Sequence, residues 1–119
     1  MNFKELLDIQ KDFDKSHGWA SNTDSIDDFL SNLNDDLIGL MGEVGEFANI
    51  VKKIKLNYKS LGLDTRSQHN NGLKEEFTDS LIYLIRIATH LNIDIEQEYL
   101  KKLNINRERF SDYEQQDKL

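Results

Sequence analysis

Cysteine and proline are absent from all 119 residues, and glycine occurs only six times. Without cysteine there is no disulfide and no thiolate chemistry, which fits a cytoplasmic setting. Without proline, and with so little glycine, the usual punctuation of β-rich folds is missing, so long helices are favoured. No run approaches the ~18–20 apolar residues of a membrane span, and the opening MNFKELLDIQKDFDK has no signal-peptide core, so no membrane partner is expected. Positive charge is in deficit, with 15 Lys and Arg against 22 Asp and Glu and a net charge of −7. That balance argues against a phosphate-backbone binder and hence against nucleic acid, although a small phosphorylated ligand bridged by metal stays open. The length indicates one domain, here 1–110, followed by a polar tail at 111–119.

What is present is helical periodicity. Residues 2–16 carry a face of Phe3, Leu6, Leu7, Ile9, Gln10 and Phe13, read as the apolar one, and His17-Gly18-Trp19 ends that helix with a glycine cap. A polar stretch from Ser21 to Asp28 follows, in which Asp24 or Ser25 can cap a helix carrying Ile26, Phe29, Leu30 and Leu33. Asn32, Asn34, Asp35 and Asp36 leave open whether that helix runs into the next. From Leu37 the stripe Leu37, Leu40, Met41, Val44, Ala48, Val51 is helical. Residues 57–72 lack a sustained period and end in Asn70-Asn71-Gly72, which reads as a long, mobile loop. A helix over 73–91, apolar on nearly every side from Leu81 to Ala88, is expected to be central and buried. Asn92 and Asp94 mark a break and a cap before a last helix at 95–109. The expected fold is all-α, an antiparallel bundle of four to five helices.

Two acidic pairs, Glu43-x-x-Glu46 and Glu76-x-x-Asp79, sit inside two of these apolar helical runs. Residues three apart share a helix face, with Cβ atoms roughly 5–6 Å apart. Two such helices side by side present four carboxylates to one small volume. Beside a hydrophobic core those charges need pairing or a metal, and an all-oxygen donor set suits Mg²⁺, with Mn²⁺ as a substitute. Gly42 and Gly45 thin the helix surface around the acids at a cost of roughly 1 kcal/mol each, which points to a close approach there.

The segments GEVGEFANIVKKIK, LKEEFTDSLIYLIRIA and KKLNINRERF, in that order, resemble the MazG-like all-α nucleoside triphosphate pyrophosphohydrolases. The resemblance covers about residues 37–110, with Phe13 and His17-Gly18-Trp19 also similar. It departs at Gly42, where many members carry a further glutamate, and near Ile54, where a tryptophan is often found. The resemblance implies Mg²⁺ held by Glu43, Glu46, Glu76 and Asp79, hydrolysis of a nucleoside triphosphate to monophosphate and pyrophosphate, and assembly as a homodimer or homotetramer. It also suggests a role in nucleotide-pool housekeeping.

The residue types suit that chemistry. Attack by water on a triphosphate needs cations against the developing charge, and one carboxylate, Glu46 rather than Glu43, is the candidate general base. Lys53, Lys55, Lys102 and Arg109 are candidates for phosphate contact and Asn106 for a hydrogen bond. Trp19 and His17 are further substrate-binding candidates, Trp19 as a platform for the nucleobase. Each has a plainer reading: Trp19 as a core aromatic, His17 as a cap, Lys53 and Lys55 as a basic helix end, Asp79 as an ion-pair partner of Arg86. The competing function is a non-catalytic helical interaction module with a structural metal or a protein partner. A di-iron site is disfavoured, because none of His17, His69 or His90 has a glutamate three residues before it.

Overall fold

A computed structural model describes residues 1–19 and 24–113; residues 21–23 of the polar stretch and the tail beyond Tyr113 lie outside them. Four α-helices follow in order: α1 (Phe3–Ser16), α2 (Ile26–Leu61), α3 (Arg66–His90) and α4 (Ile95–Arg109), with a short 3₁₀ turn at Ser111–Tyr113. The all-α fold is as expected, and no strand occurs among the described residues. None of their helices is long and apolar enough to cross a membrane. Side-chain caps set three of the four starts. Asn2 accepts from the Glu5 amide at 2.9 Å, Ser25 from Asp28 at 3.0 Å and Asp94 from Gln97 at 3.1 Å.

The two acidic helices depart from the expected boundaries. Helix α2 runs unbroken for 36 residues, about 54 Å at 1.5 Å per residue, which accounts for the 53 Å long axis of the molecule. The polar cluster at Asn32–Asp36 does not interrupt it, because Asp36 is buried and its carboxylate is bonded to Arg86 and His90. A side chain so engaged does not compete for its own backbone.

The expected loop at 57–72 is mostly helix. Helix α2 continues to Leu61, Gly62 closes it with φ at +65°, and α3 begins at Arg66. Only residues 62–65 connect the two helices, so they must run antiparallel as a tight hairpin. Asn57 and Thr65 clasp the turn through a 3.1 Å hydrogen bond. Gly72, which reads as loop punctuation, lies inside α3, where an added Cβ would meet Ile50 Cδ1 at 3.2 Å. It is a packing glycine.

Facing residues of the hairpin follow one register. Asp36 meets Arg86, Gly39 meets Tyr83, Ile50 meets Gly72 and Asn57 meets Thr65. Each step along α2 is matched by an equal step back along α3, at the alternating three-and-four spacing of a coiled-coil seam. Helix α1 lies against α3, whereas α4 packs on the 3₁₀ turn rather than along the hairpin.

The apolar face is largely uncovered. Among the described residues the buried hydrophobic ones are Ile85 and Ala88, whereas Ile38, Met41 and Phe77 are each more than 60% exposed. Leu81 and Leu84 are also exposed, so α3 is not wrapped on every side as its composition suggests. The radius of gyration is 19.0 Å, against about 13–14 Å for a compact chain of this length.

Candidate metal centre

The hairpin register decides where the acidic pairs fall. Glu43 and Glu46 occupy seam positions of α2 between Gly39 and Ile50, and Glu76 and Asp79 occupy those of α3 between Gly72 and Tyr83. Two close helix approaches therefore bracket the carboxylates, one at Gly39 against Tyr83 and one at Gly72 against Ile50. Between these points the seam is filled by acid where a coiled coil would place leucine or isoleucine.

Glu43, Glu46 and Glu76 each bring a carboxylate oxygen within 4.8 Å of the others. Glu76 is half-buried, and its Oε2 is sealed from solvent with no hydrogen-bond partner. The Glu43 carboxyl beside it raises the Glu76 pKa most, followed by burial and then by Glu46, to about 8. Two acids facing a third cannot all ionise without a cation. An orphaned carboxylate oxygen among hard oxygen donors fits a divalent cation of the Mg²⁺ or Mn²⁺ type.

Asp79 is not part of that three-residue cluster. The register sets it across from Glu43, and both line a cavity of about 660 Å³. Phe13, Trp19, Tyr83 and Arg86 line the same cavity. Trp19 stacks on His17 at 5.1 Å between ring centroids, and His17 lies 4.2 Å from Phe13. His17 donates through Nδ1 to the Phe13 carbonyl at 2.7 Å, which fixes its ring behind Trp19. The two aromatic candidates thus stand together at the acid-lined cavity, Trp19 on its wall and His17 backing it.

The cationic candidates do not join them within one chain. None of Lys53, Lys55, Lys102, Asn106 or Arg109 lines the cavity. Lys53 and Lys55 are exposed on α2, and Arg109 stacks on Phe110 at 5.1 Å at the end of α4. Gly42 and Gly45, expected to admit a close neighbour, face no atom within 4 Å. The close approach belongs to Gly39, where an added Cβ would collide with the Tyr83 ring.

A buried polar network borders the cavity. Arg86 Nε donates to Asp36 Oδ1 at 2.9 Å and Nη1 to Asp14 Oδ1 at 3.2 Å, while His90 Nε2 donates to Asp36 Oδ2. Gln10 donates to the same Asp14 oxygen at 3.0 Å, and the guanidinium lies 5.6 Å from the Trp19 ring centroid. Arg86 is therefore not the partner of Asp79. The register carries it past Asp79 to Asp36.

No protein-family model matches the chain, and no solved structure matches it. Curated proteins do. The chain is 36% identical over 75 residues to dCTP pyrophosphatase 1 of Homo sapiens and 33% identical over 81 residues to that of Mus musculus. The protein of the same name from Rattus norvegicus is 31% identical over 74 residues. Each match takes in 62% of this chain and 43% of the relative, so the chain spans less than half the length of the curated proteins it resembles.

Proposed function

We propose that this chain hydrolyses a nucleoside or deoxynucleoside triphosphate to the monophosphate and pyrophosphate, with Mg²⁺ as cofactor and Mn²⁺ able to replace it. The observation that carries this reading is the oxygen cluster of Glu43, Glu46 and Glu76 with its sealed, unpartnered Glu76 Oε2. Similarity to proteins named dCTP pyrophosphatase supports the reaction type and places dCTP first among substrates to try.

Glu43, Glu46 and Glu76 would hold the cation, with Asp79 across the seam as a further ligand. When bound, the cation supplies Lewis-acid neutralisation of the phosphate oxygens. The chain's own residues do the rest. Glu46, the exposed member of the cluster, would take a proton from an attacking water. Trp19, backed by His17, offers an aromatic face for the base.

The leaving pyrophosphate needs positive charge, and the cavity's one lining arginine, Arg86, is already engaged by two carboxylates. A second copy of this chain is the source we propose for it, as a homodimer or homotetramer. Support comes from the exposed apolar face and the extended shape, with Lys102, Asn106 and Arg109 of α4 outside the cavity of their own chain. The role in keeping with this activity is nucleotide-pool housekeeping in the cytoplasm.

The exposed apolar face also suits a non-catalytic interaction module, and one experiment separates the two. Purified protein with Mg²⁺ is assayed for pyrophosphate release across ribo- and deoxynucleoside triphosphates, dCTP included. Release that Glu43→Gln and Asp79→Asn abolish, with helicity retained, supports the hydrolase. No release from any member of the panel leaves the interaction module.

A further inference from the structure

Helix α1 is held in an unusual way. Its apolar residues Phe3, Leu6, Ile9 and Phe13 are exposed, Leu7 is half-buried beside Ile85 and Ala88, and its one buried residue is an acid, Asp14. Leu7 is thus the main hydrophobic anchor of α1 on the hairpin, and the rest of its fixing must come from polar contacts. What reaches Asp14 is the Arg86 guanidinium of α3, which also binds Asp36 of α2 and lies over the Trp19 ring. One side chain joins all three helices.

The same arginine lies two turns along α3 from Asp79, about 10 Å at 1.5 Å per residue. It lines the same cavity as Glu43, Asp79, Phe13 and Trp19.

We propose that Arg86 is a positioning residue: by bridging Asp14 and Asp36 it sets the aromatic wall of α1 at a fixed distance from the acidic centre, and so governs binding of the base end of a substrate. The planar fork of arginine suits this, since it can serve two carboxylates in defined directions, which a lysine ammonium cannot. Asp14 and Asp36 are both buried and need that cation. His90 steadies Asp36 from its other oxygen, so the hairpin end of the bridge is fixed and the α1 end is the one that yields.

This inference rests on the hydrolase reading, and its test separates the two. Trp19 is the only tryptophan, so its fluorescence reports the wall without interference. Asp14→Asn removes the charge that ties α1 to Arg86, leaving at most a neutral hydrogen bond, and keeps the Arg86–Asp36 pair. It is expected to increase acrylamide quenching of Trp19 and to raise KM for the triphosphate about tenfold, with kcat within about a factor of two. Mn²⁺ affinity, read by calorimetry, should stay at the wild-type value.

Asp14→Glu, which keeps the carboxylate, should recover most of the KM. Arg86→Lys should move Trp19 quenching and KM in the same direction as Asp14→Asn, and it stands in for that variant should Asp14→Asn fail to fold. An active wild type whose Asp14→Asn and Arg86→Lys variants keep their KM or their Trp19 quenching overturns the positioning role. A wild type that releases no pyrophosphate overturns the hydrolase reading instead, and the substrate half of this inference with it. Trp19 quenching alone then decides whether the tie holds α1.

Discussion

Gly39 of α2 lies so close against Tyr83 of α3 that a single added methyl group would overlap the phenol ring. The contact sits one helical turn from Glu43 and from Asp79, at the edge of the acidic centre. Gly39→Ala must therefore push the ring or the helix away. Overpacking of this kind costs about 1–3 kcal/mol, offset by roughly 1 kcal/mol of regained helix propensity. The expected outcome is a small net loss of stability in thermal denaturation together with weakened Mn²⁺ binding. Gly42→Ala, with no atom within 4 Å, is the control and should gain up to about 1 kcal/mol. Equal effects at the two glycines would mean that the Tyr83 contact does not set the helix spacing.

The Glu76 carboxyl gives a pH dependence whose sign can be worked out. Its pKa is near 8 in the folded, metal-free chain against 4.5 ordinarily. Below pH 4.5 both folded and unfolded chains hold the proton, so the group contributes nothing. Between 4.5 and about 8 the folded chain keeps a proton that the unfolded chain has lost, so stability falls as pH rises. Above about 8 the penalty is complete. In EDTA the melting temperature of the wild type should decline across this window relative to Glu76→Gln. Saturating Mn²⁺ should remove the decline. A wild type and variant with parallel profiles in EDTA would show that Glu76 is not the strained acid.

Cation binding should then expel that proton. At pH 7 the metal-free chain carries most of one proton on Glu76, and a bound divalent ion needs the carboxylate. Calorimetry of Mn²⁺ binding in two buffers of different ionisation enthalpy should show release of most of one proton at pH 7 and little at pH 9. Glu76→Gln should release none and bind more weakly.

Much of this centre was legible in the sequence because its signal is local. Glu43 with Glu46, and Glu76 with Asp79, each share a face at three-residue spacing within an apolar helix, and the helices follow from periodicity alone. The register between them was not legible. Asn70-Asn71-Gly72 has the composition of a turn, and nothing local reveals that Gly72 is there to admit Ile50. Reading a loop at that point displaced the helix start by seven residues and hid the tight hairpin at 62–65.

Arg86, Asp36 and Asp14 were missed for a related reason. A lone arginine inside LIYLIRIATHL was the available clue, but its partners lie in other helices, and Asp79 on its own helix was the nearest acid to assign. Had the heptad spacing been carried outward from the acidic pairs, it would have set Asp36 and Arg86 on the same seam.

Self-association is the next expectation. Ile38, Met41 and Phe77 are exposed on the acidic helices themselves, more apolar surface than a small monomer ordinarily leaves to water. Sedimentation should find at least a dimer, and Met41→Glu should shift it toward monomer and lower activity together. A monomer with full pyrophosphate release would remove the second copy from the site.

In the proposed reaction the site of bond cleavage follows from which phosphorus faces Glu46. Glu46 is the exposed carboxylate beside Glu43 and Glu76, so a water it deprotonates attacks the phosphorus nearest the acidic centre. For pyrophosphate to depart as one unit with the nucleoside held toward Trp19, that atom must be the α-phosphorus. Attack at the β-phosphorus gives the same two products, so product identity does not distinguish them. The destination of the water oxygen does. In ¹⁸O-labelled water, attack at the α-phosphorus labels the nucleoside monophosphate and leaves pyrophosphate unlabelled, as mass spectrometry of both products would show. Label in the pyrophosphate would reverse the orientation of the substrate across the cavity, setting the base away from Trp19. Release of orthophosphate and a nucleoside diphosphate would exclude the pyrophosphohydrolase reaction itself.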